Sequence, residues 1–112
     1  MKIAIPVTAG KLSPHFGHCE EFAVIDVDLE SKSAGEESRI PAPPHEPGLL
    51  PQWLAEQDVS LVIAGGMGGR ARDLFKQQKI AVLIGAEIVE PALLVQSFLD
   101  GSLQDGENFC DH

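Results

Sequence analysis

The alternation of apolar and polar positions predicts strands over residues 2–7 (KIAIPV) and 22–27 (FAVIDV). The first is rich in β-branched residues, and after the second Asp26 and Asp28 alternate with Val27 and Leu29. Residues 30–35 (ESKSAG) have turn composition, and a weaker third strand over about 36–40 pairs back as a hairpin. Residues 41–48 (PAPPHEPG) hold four prolines and a glycine, a connector that can neither donate a ladder of amides nor continue a helix. A helix is predicted over 49–57, with Pro51 in its first turn and Leu50, Trp53 and Leu54 on one face. Beyond Asp58 the pattern changes to nearly all-apolar strands, 59–64 (VSLVIA) and 79–85 (KIAVLIG), each followed by a helix, 69–78 and 91–100. Ala71, Leu74, Phe75 and Gln78 give the first of these helices its apolar stripe, and Pro91 opens the second.

This order, β-β-β-α-β-α-β-α, predicts one five-stranded mixed sheet in the order 3-2-1-4-5, with right-handed crossovers and helices on both faces. That is the topology of a ribonuclease H-like α/β fold. In it the first and fourth strands lie side by side and parallel, and their following connections leave in opposite directions. Their shared carboxyl end is then a topological switch point, where open α/β sheets bind ligands. Two loops are expected to meet there: residues 8–19 (TAGKLSPHFGHC) and 65–69 (GGMGG). One domain is expected over 1–105, followed by a polar, flexible tail over 106–112.

Length and composition narrow the function classes. A chain of 112 residues with 44% hydrophobic and 22% charged residues suits one globular domain with one core. A formal charge of −9 argues against nucleic acid and anionic membranes as partners, and the eight Lys and Arg are read as forming no basic patch. The amino terminus has no leader pattern, and no apolar run approaches the ~20 residues of a membrane span. A cytoplasmic protein, monomeric or weakly dimeric, is expected. Its two cysteines, Cys19 and Cys110, are then free thiols, metal ligands or a redox pair.

The segment S-P-H-F-G-H-C brings His15, His18 and Cys19 within five residues, the donor types that zinc, copper, iron and metal–sulfur clusters prefer. The plainer alternative is that a histidine caps the following strand and Cys19 is a small buried hydrophobe. Zinc-finger spacing is absent. Cys110 and His112 form a second donor pair near the carboxyl terminus, and His45 lies in the proline-rich connector. The other loop, A-G-G-M-G-G-R-A, follows a buried strand and opens a helix. Gly66, Gly68 and Ala71 match a G-x-G-x-x-A dinucleotide fingerprint, with Glu87 near the place of a ribose-binding acid. The motif follows the fourth strand, however, and no second mononucleotide half fits after it. What remains is an anion-attracting helix start, with amides uncovered by glycine and positive charge from Arg70 or Arg72. The plain reading of the same glycines is a tight turn with close helix packing.

The start KIAIPV, the loop S-P-H-F-G-H-C, the segment V-I-A-G-G-M-G-G-R-A and the strand A-V-L-I-G-A together resemble the dinitrogenase iron–molybdenum cofactor biosynthesis family, over residues 1 to about 105. NifX- and NafY-like carriers and the carboxyl-terminal domain of NifB belong to it. The resemblance implies a ribonuclease H-like fold and binding of iron–molybdenum cofactor, its precursor or a related heterometal–sulfur cluster for delivery to a client protein, while the donor types by themselves also allow a single soft metal ion. It implies a carrier and not an enzyme. Carried over by position, the site residues are His15, His18 and Cys19 in one loop and Gly65, Gly66, Met67, Gly68 and Gly69 in the other. Two other classes remain open. A nuclease of this fold would need carboxylates on the first strand, which has none. A metal-free interaction or regulatory module would need neither loop.

Overall fold

A computed structural model describes residues 1–14, 16, 19–43 and 48–103. Its elements run β1 (Lys2–Thr8), β2 (Lys11–Leu12), β3 (Glu21–Asp28), β4 (Ser33–Pro41), α1 (Leu49–Glu56), β5 (Val59–Ile63), α2 (Gly69–Gln77), β6 (Ala81–Leu83) and α3 (Pro91–Asp100). The sheet order is β4-β3-β1-β5-β6, the one expected, but there are six strands and not five, because the short β2 also pairs with β1.

Strict alternation in β1 and β3 divides the core between the two faces of the sheet. Ile3, Ile5, Val7, Ala23, Ile25 and Val27 meet Leu94, Val95 and Leu99 of α3 on one face. Ala4, Phe22 and Val24 meet Leu54 of α1 and Phe75 of α2 on the other. In β5 the alternation breaks once: Lys2 pairs with Val59 but Ile3 with Leu61, so Ser60 is an extra residue. This bulge turns Val59 toward α1 and α2, and Leu61 toward α3.

Pro6 sits in the middle of the central strand, a position that proline ordinarily avoids. It is tolerated because β5 pairs with β1 only through Lys2, Ile3 and Ala4. Beyond Pro6 that edge is taken by β2, with Val7 opposite Leu12 and Thr8 opposite Lys11. The edge strand β4 begins at Ser33, earlier than its composition suggested, and only Ile40 along it is even half-buried. A second bulge lies opposite Asp26, where Ile25 pairs with Glu37 and Val27 with Ala34. An added Cβ at Gly35 would stand 3.1 Å from the Asp26 carbonyl, which accounts for glycine there.

At the other edge, β6 is three residues long where seven apolar-patterned positions suggested more. Its amino-terminal end is consumed by the helix stop before it: Lys79 N–H donates to the Lys76 carbonyl (3.0 Å) and Ile80 N–H to that of Phe75 (3.0 Å), with Lys79 left-handed at φ 62°. The same helical spacing corrects the expectation about charge. Positions 72 and 76 share a flank of α2, and Lys79 follows just past its end, so Arg72, Lys76 and Lys79 line one groove beside β6.

Lys79 holds a conformation that favours glycine. Lys79→Gly is therefore expected to raise unfolding free energy by about 0.5–1 kcal/mol. The check is urea denaturation, read as a higher midpoint at unchanged slope.

Candidate functional site

The carboxyl ends of β1 and β5 release the two loops singled out in the sequence. The first begins as a tight hairpin in which Ala9 and Gly10 both take positive φ, 56° and 81°. Alanine is an unusual residue there, and its N–H is held by the Glu20 carboxylate at 2.7 Å. The chain then folds back along β1: Ser13 N–H donates to the Pro6 carbonyl (2.8 Å), and Glu20 N–H donates to that of Val7 (3.0 Å) where the loop returns. Leu12 N–H reaches the Val89 carbonyl (2.9 Å), tying the hairpin to the segment that leads into α3.

Phe16 anchors this loop. It is 6% exposed, and its ring stands edge-on to Phe22 at 5.9 Å and to Phe75 of α2 at 5.3 Å. Cys19 is half-buried and packs against the same apolar cluster. Burial pushes its thiol up from the ordinary 9.0 to about 11, partly offset by backbone hydrogen bonds of Cys19 itself and Val7. His15, His18, His45, Cys110 and His112 lie outside the described residues.

The second loop lies directly against the first. A Cβ placed on Gly65 would stand 3.6 Å from Leu12 Cδ2, 3.7 Å from the Ser13 carbonyl and 3.8 Å from that of Ala86. One on Gly66 would stand 3.7 Å from the Pro14 carbonyl. The two loops thus converge as the topology predicts. Gly85 N–H donates to the Gly65 carbonyl (2.9 Å) and Ala86 N–H to that of Ala64 (3.2 Å), adding a third strand of backbone to the junction. Met67 is half-buried and packs into the cluster of α1 and α2. Around Gly68 and Gly69 there is open space, with nothing within 4 Å of an added Cβ.

Gly68 caps α2 without a side-chain hydrogen bond, so the first-turn amides are not satisfied by a capping side chain. Arg70 is exposed just beyond, and Arg72 is half-buried. Among the described residues, the buried side-chain polar atom without a partner is Thr8 Oγ1, at the carboxyl end of β1. No three His, Cys, Asp or Glu come together among the described residues, a set that holds Cys19 but neither His15 nor His18. The sequence reading missed Thr8, the anchoring role of Phe16 and the approach of Ala86. Of these only Phe16 left a signal, as a lone aromatic residue inside a polar loop.

Comparison with known proteins bears on what this junction does. The family model described as dinitrogenase iron-molybdenum cofactor matches residues 1–101. The uncharacterized protein MJ0580 of Methanocaldococcus jannaschii is 29% identical over 110 residues, 96% of this chain and 92% of that protein. The crystal structure of PH0822 superposes with a TM-score of 0.87 at 23% identity, covering 100% of both chains. The apo form of the orange protein from Desulfovibrio gigas superposes with a TM-score of 0.70 at 25% identity, covering 93% of this chain and 91% of that one.

The raised thiol gives a direct expectation. Alkylation of Cys19 by iodoacetamide, followed by peptide mass spectrometry that separates it from Cys110, should still accelerate above pH 9.0 and level off near pH 11. A plateau at pH 9 would show an unburied thiol. The sign for stability is the same: the folded thiol keeps its proton above the unfolded value, so stability is full below pH 9.0 and declines as pH rises through about 11.

Proposed function

The chain belongs to the dinitrogenase iron-molybdenum cofactor family, and from that premise we propose that it binds an iron–molybdenum or related heterometal–sulfur cluster, or a precursor, as cargo. It passes this cargo to a client protein and catalyses no reaction of its own. The observation that carries the reading is the approach of Gly66 to the Pro14 carbonyl, which a Cβ on Gly66 would meet at 3.7 Å, with the donor-bearing loop lying against the amide-bearing one.

Each loop contributes a different chemistry. Cys19 supplies a soft sulfur, His18 and His15 precede it in the chain, and Cys110 and His112 are a further pair of the same donor types. Gly68, Gly69 and Arg70 supply uncapped amides and a guanidinium, which suit an anionic cluster better than a bare cation. The open space around Gly68 and Gly69 leaves room for a ligand larger than one ion. We read the sheet order as ribonuclease H-like, and the compartment as the reducing cytoplasm, where such thiols persist. No described helix is long and apolar enough to cross a membrane.

A nuclease of this fold would need carboxylates on the first strand. β1 carries none, and Asp26 bonds the amino-terminal ammonium at 3.3 Å, at the opposite end of β1 from the loops.

The test is anaerobic reconstitution with iron, molybdate and sulfide, followed by metal and sulfide analysis and optical spectra. Native protein should retain metal and sulfide together, and Cys19→Ala, His15→Ala and His18→Ala should each lower retention. Native protein that takes up neither would leave a metal-free interaction module. A second expectation separates cluster from ion: Arg70→Ala should weaken an anionic thiomolybdate by roughly fivefold, the loss of about 1 kcal/mol of charge-assisted contact, and leave zinc affinity unchanged. Equal losses for both ligands would count against the anion-binding role of the glycine loop.

A further inference from the structure

Half of the chain's cationic side chains, Arg70, Arg72, Lys76 and Lys79, fall within residues 70–79, against one carboxylate, Asp73. In a chain of net charge −9 this is a local reversal of sign. Arg72, Lys76 and Lys79 border a groove of about 490 Å³ between α2 and β6, floored by Ile80 and Val82, with Asp73 also on its wall. Lys76 and Lys79 are exposed and make no ion pair among the described residues.

The groove runs beside a sheet edge. β6 ends the strand order, so its outer side takes no strand among the described residues. Such an edge offers unpaired amides and carbonyls to an incoming strand. Arg72 and Lys76 are one helical i, i+4 step apart, a rise of about 6 Å. Alternate residues of a strand repeat at about 6.6–6.8 Å, nearly the same distance. A strand laid along β6 therefore presents the side chains of its α2-facing side in step with these two cations, and Lys79 is placed for a third.

We propose that this groove receives an extended acidic segment of a partner protein, added as a strand on the free edge of β6, with carboxylates at alternate positions facing Arg72, Lys76 and Lys79. A second copy of this chain fits less well. Its exposed edge strand β4 carries Glu36 and Glu37 in succession, hence on opposite faces, and Glu37 is already bound by Arg39. The proposal does not rest on the cargo reading. The groove reaches Gly69 at the start of α2, but its argument uses only the cations and the β6 edge, and the variants that test it leave Cys19, Gly68, Gly69 and Arg70 unchanged, so peptide binding and cluster uptake fail independently.

The test uses the full chain and a neutral-dye peptide of about ten residues with Glu at every second position and Val or Thr between, the length of a long strand. Its control has the same composition with the Glu residues in one block. In fluorescence anisotropy at about 20 mM salt the alternating peptide should bind roughly tenfold tighter than the block isomer, since only one matches the cation spacing. Lys76→Glu should weaken it by about tenfold, replacing an attraction with a repulsion, and Lys79→Gly by about threefold. The latter variant is expected to be the more stable fold, so its loss of affinity is not a folding defect. Amide resonances of Ala81, Val82 and Leu83 should shift on binding. N-methylation of the peptide amides that face β6 should abolish binding, and N-methylation of the others should not. Equal binding of the two isomers, indifference to Lys76→Glu, absence of shifts at β6, or self-association of the chain through this edge would each overturn the proposal.

Discussion

The structure depends on β1 being enclosed on every side. β3 pairs along one edge over six residues, β5 and then β2 share the other edge, and helices cover both faces. A slip of one residue would carry Ile3, Ile5 and Val7 away from α3 and thrust them at α1 and α2, so the register admits no neighbouring alternative. The hand-over of the second edge at Pro6 follows from the same enclosure. Where β1 has no N–H to offer, β5 has already stopped pairing, and the chain of the first loop returns to use the Pro6 carbonyl. The chain leaving β5 at Gly65 then lies against Leu12 and Ser13, which is where the two loops meet.

The site is therefore made of backbone before it is made of side chains. The first loop is held at its start by the hairpin, in its middle by Phe16 and at its end by the Glu20 amide. At Gly65 and Gly66 the glycine loop runs beside the Ser13, Pro14 and Ala86 carbonyls, close enough that an added Cβ would reach van der Waals contact with them. The two loops thus meet through glycines and backbone carbonyls, with Cys19 of one and Met67 of the other packed against the same apolar cluster.

Much of this was legible in the residues. Buried parallel strands read as apolar runs, and helix starts at Gly69 and Pro91 were marked by glycine and proline. The errors share a physical cause, namely local signals overridden by tertiary pairing. The Ala9-Gly10 hairpin escaped notice because alanine rarely accepts positive φ, and here Glu20 holds its amide from outside the turn. β4 looked weak because an edge strand exposed along nearly its whole length shows little apolar alternation. β6 looked long because Ile84 is apolar and buried, yet the residues after it, Gly85 and Ala86, pair irregularly with the chain leaving β5. The basic groove was missed because charge was summed along the chain and not projected around α2.

Phe16 carries one consequence beyond the site itself. Its ring fills the space between the sheet and α2 at the middle of the loop, and Cys19, three residues on, packs against the same apolar cluster. Packing and chemistry are then joined at Cys19 and separate at Phe16, whose side chain offers a ligand no donor atom. Exchange of Cys19 changes the core as well as the thiol, whereas exchange of Phe16 changes the core alone. Such an arrangement ties any change of chemistry at position 19 to the foldability of the loop that carries it.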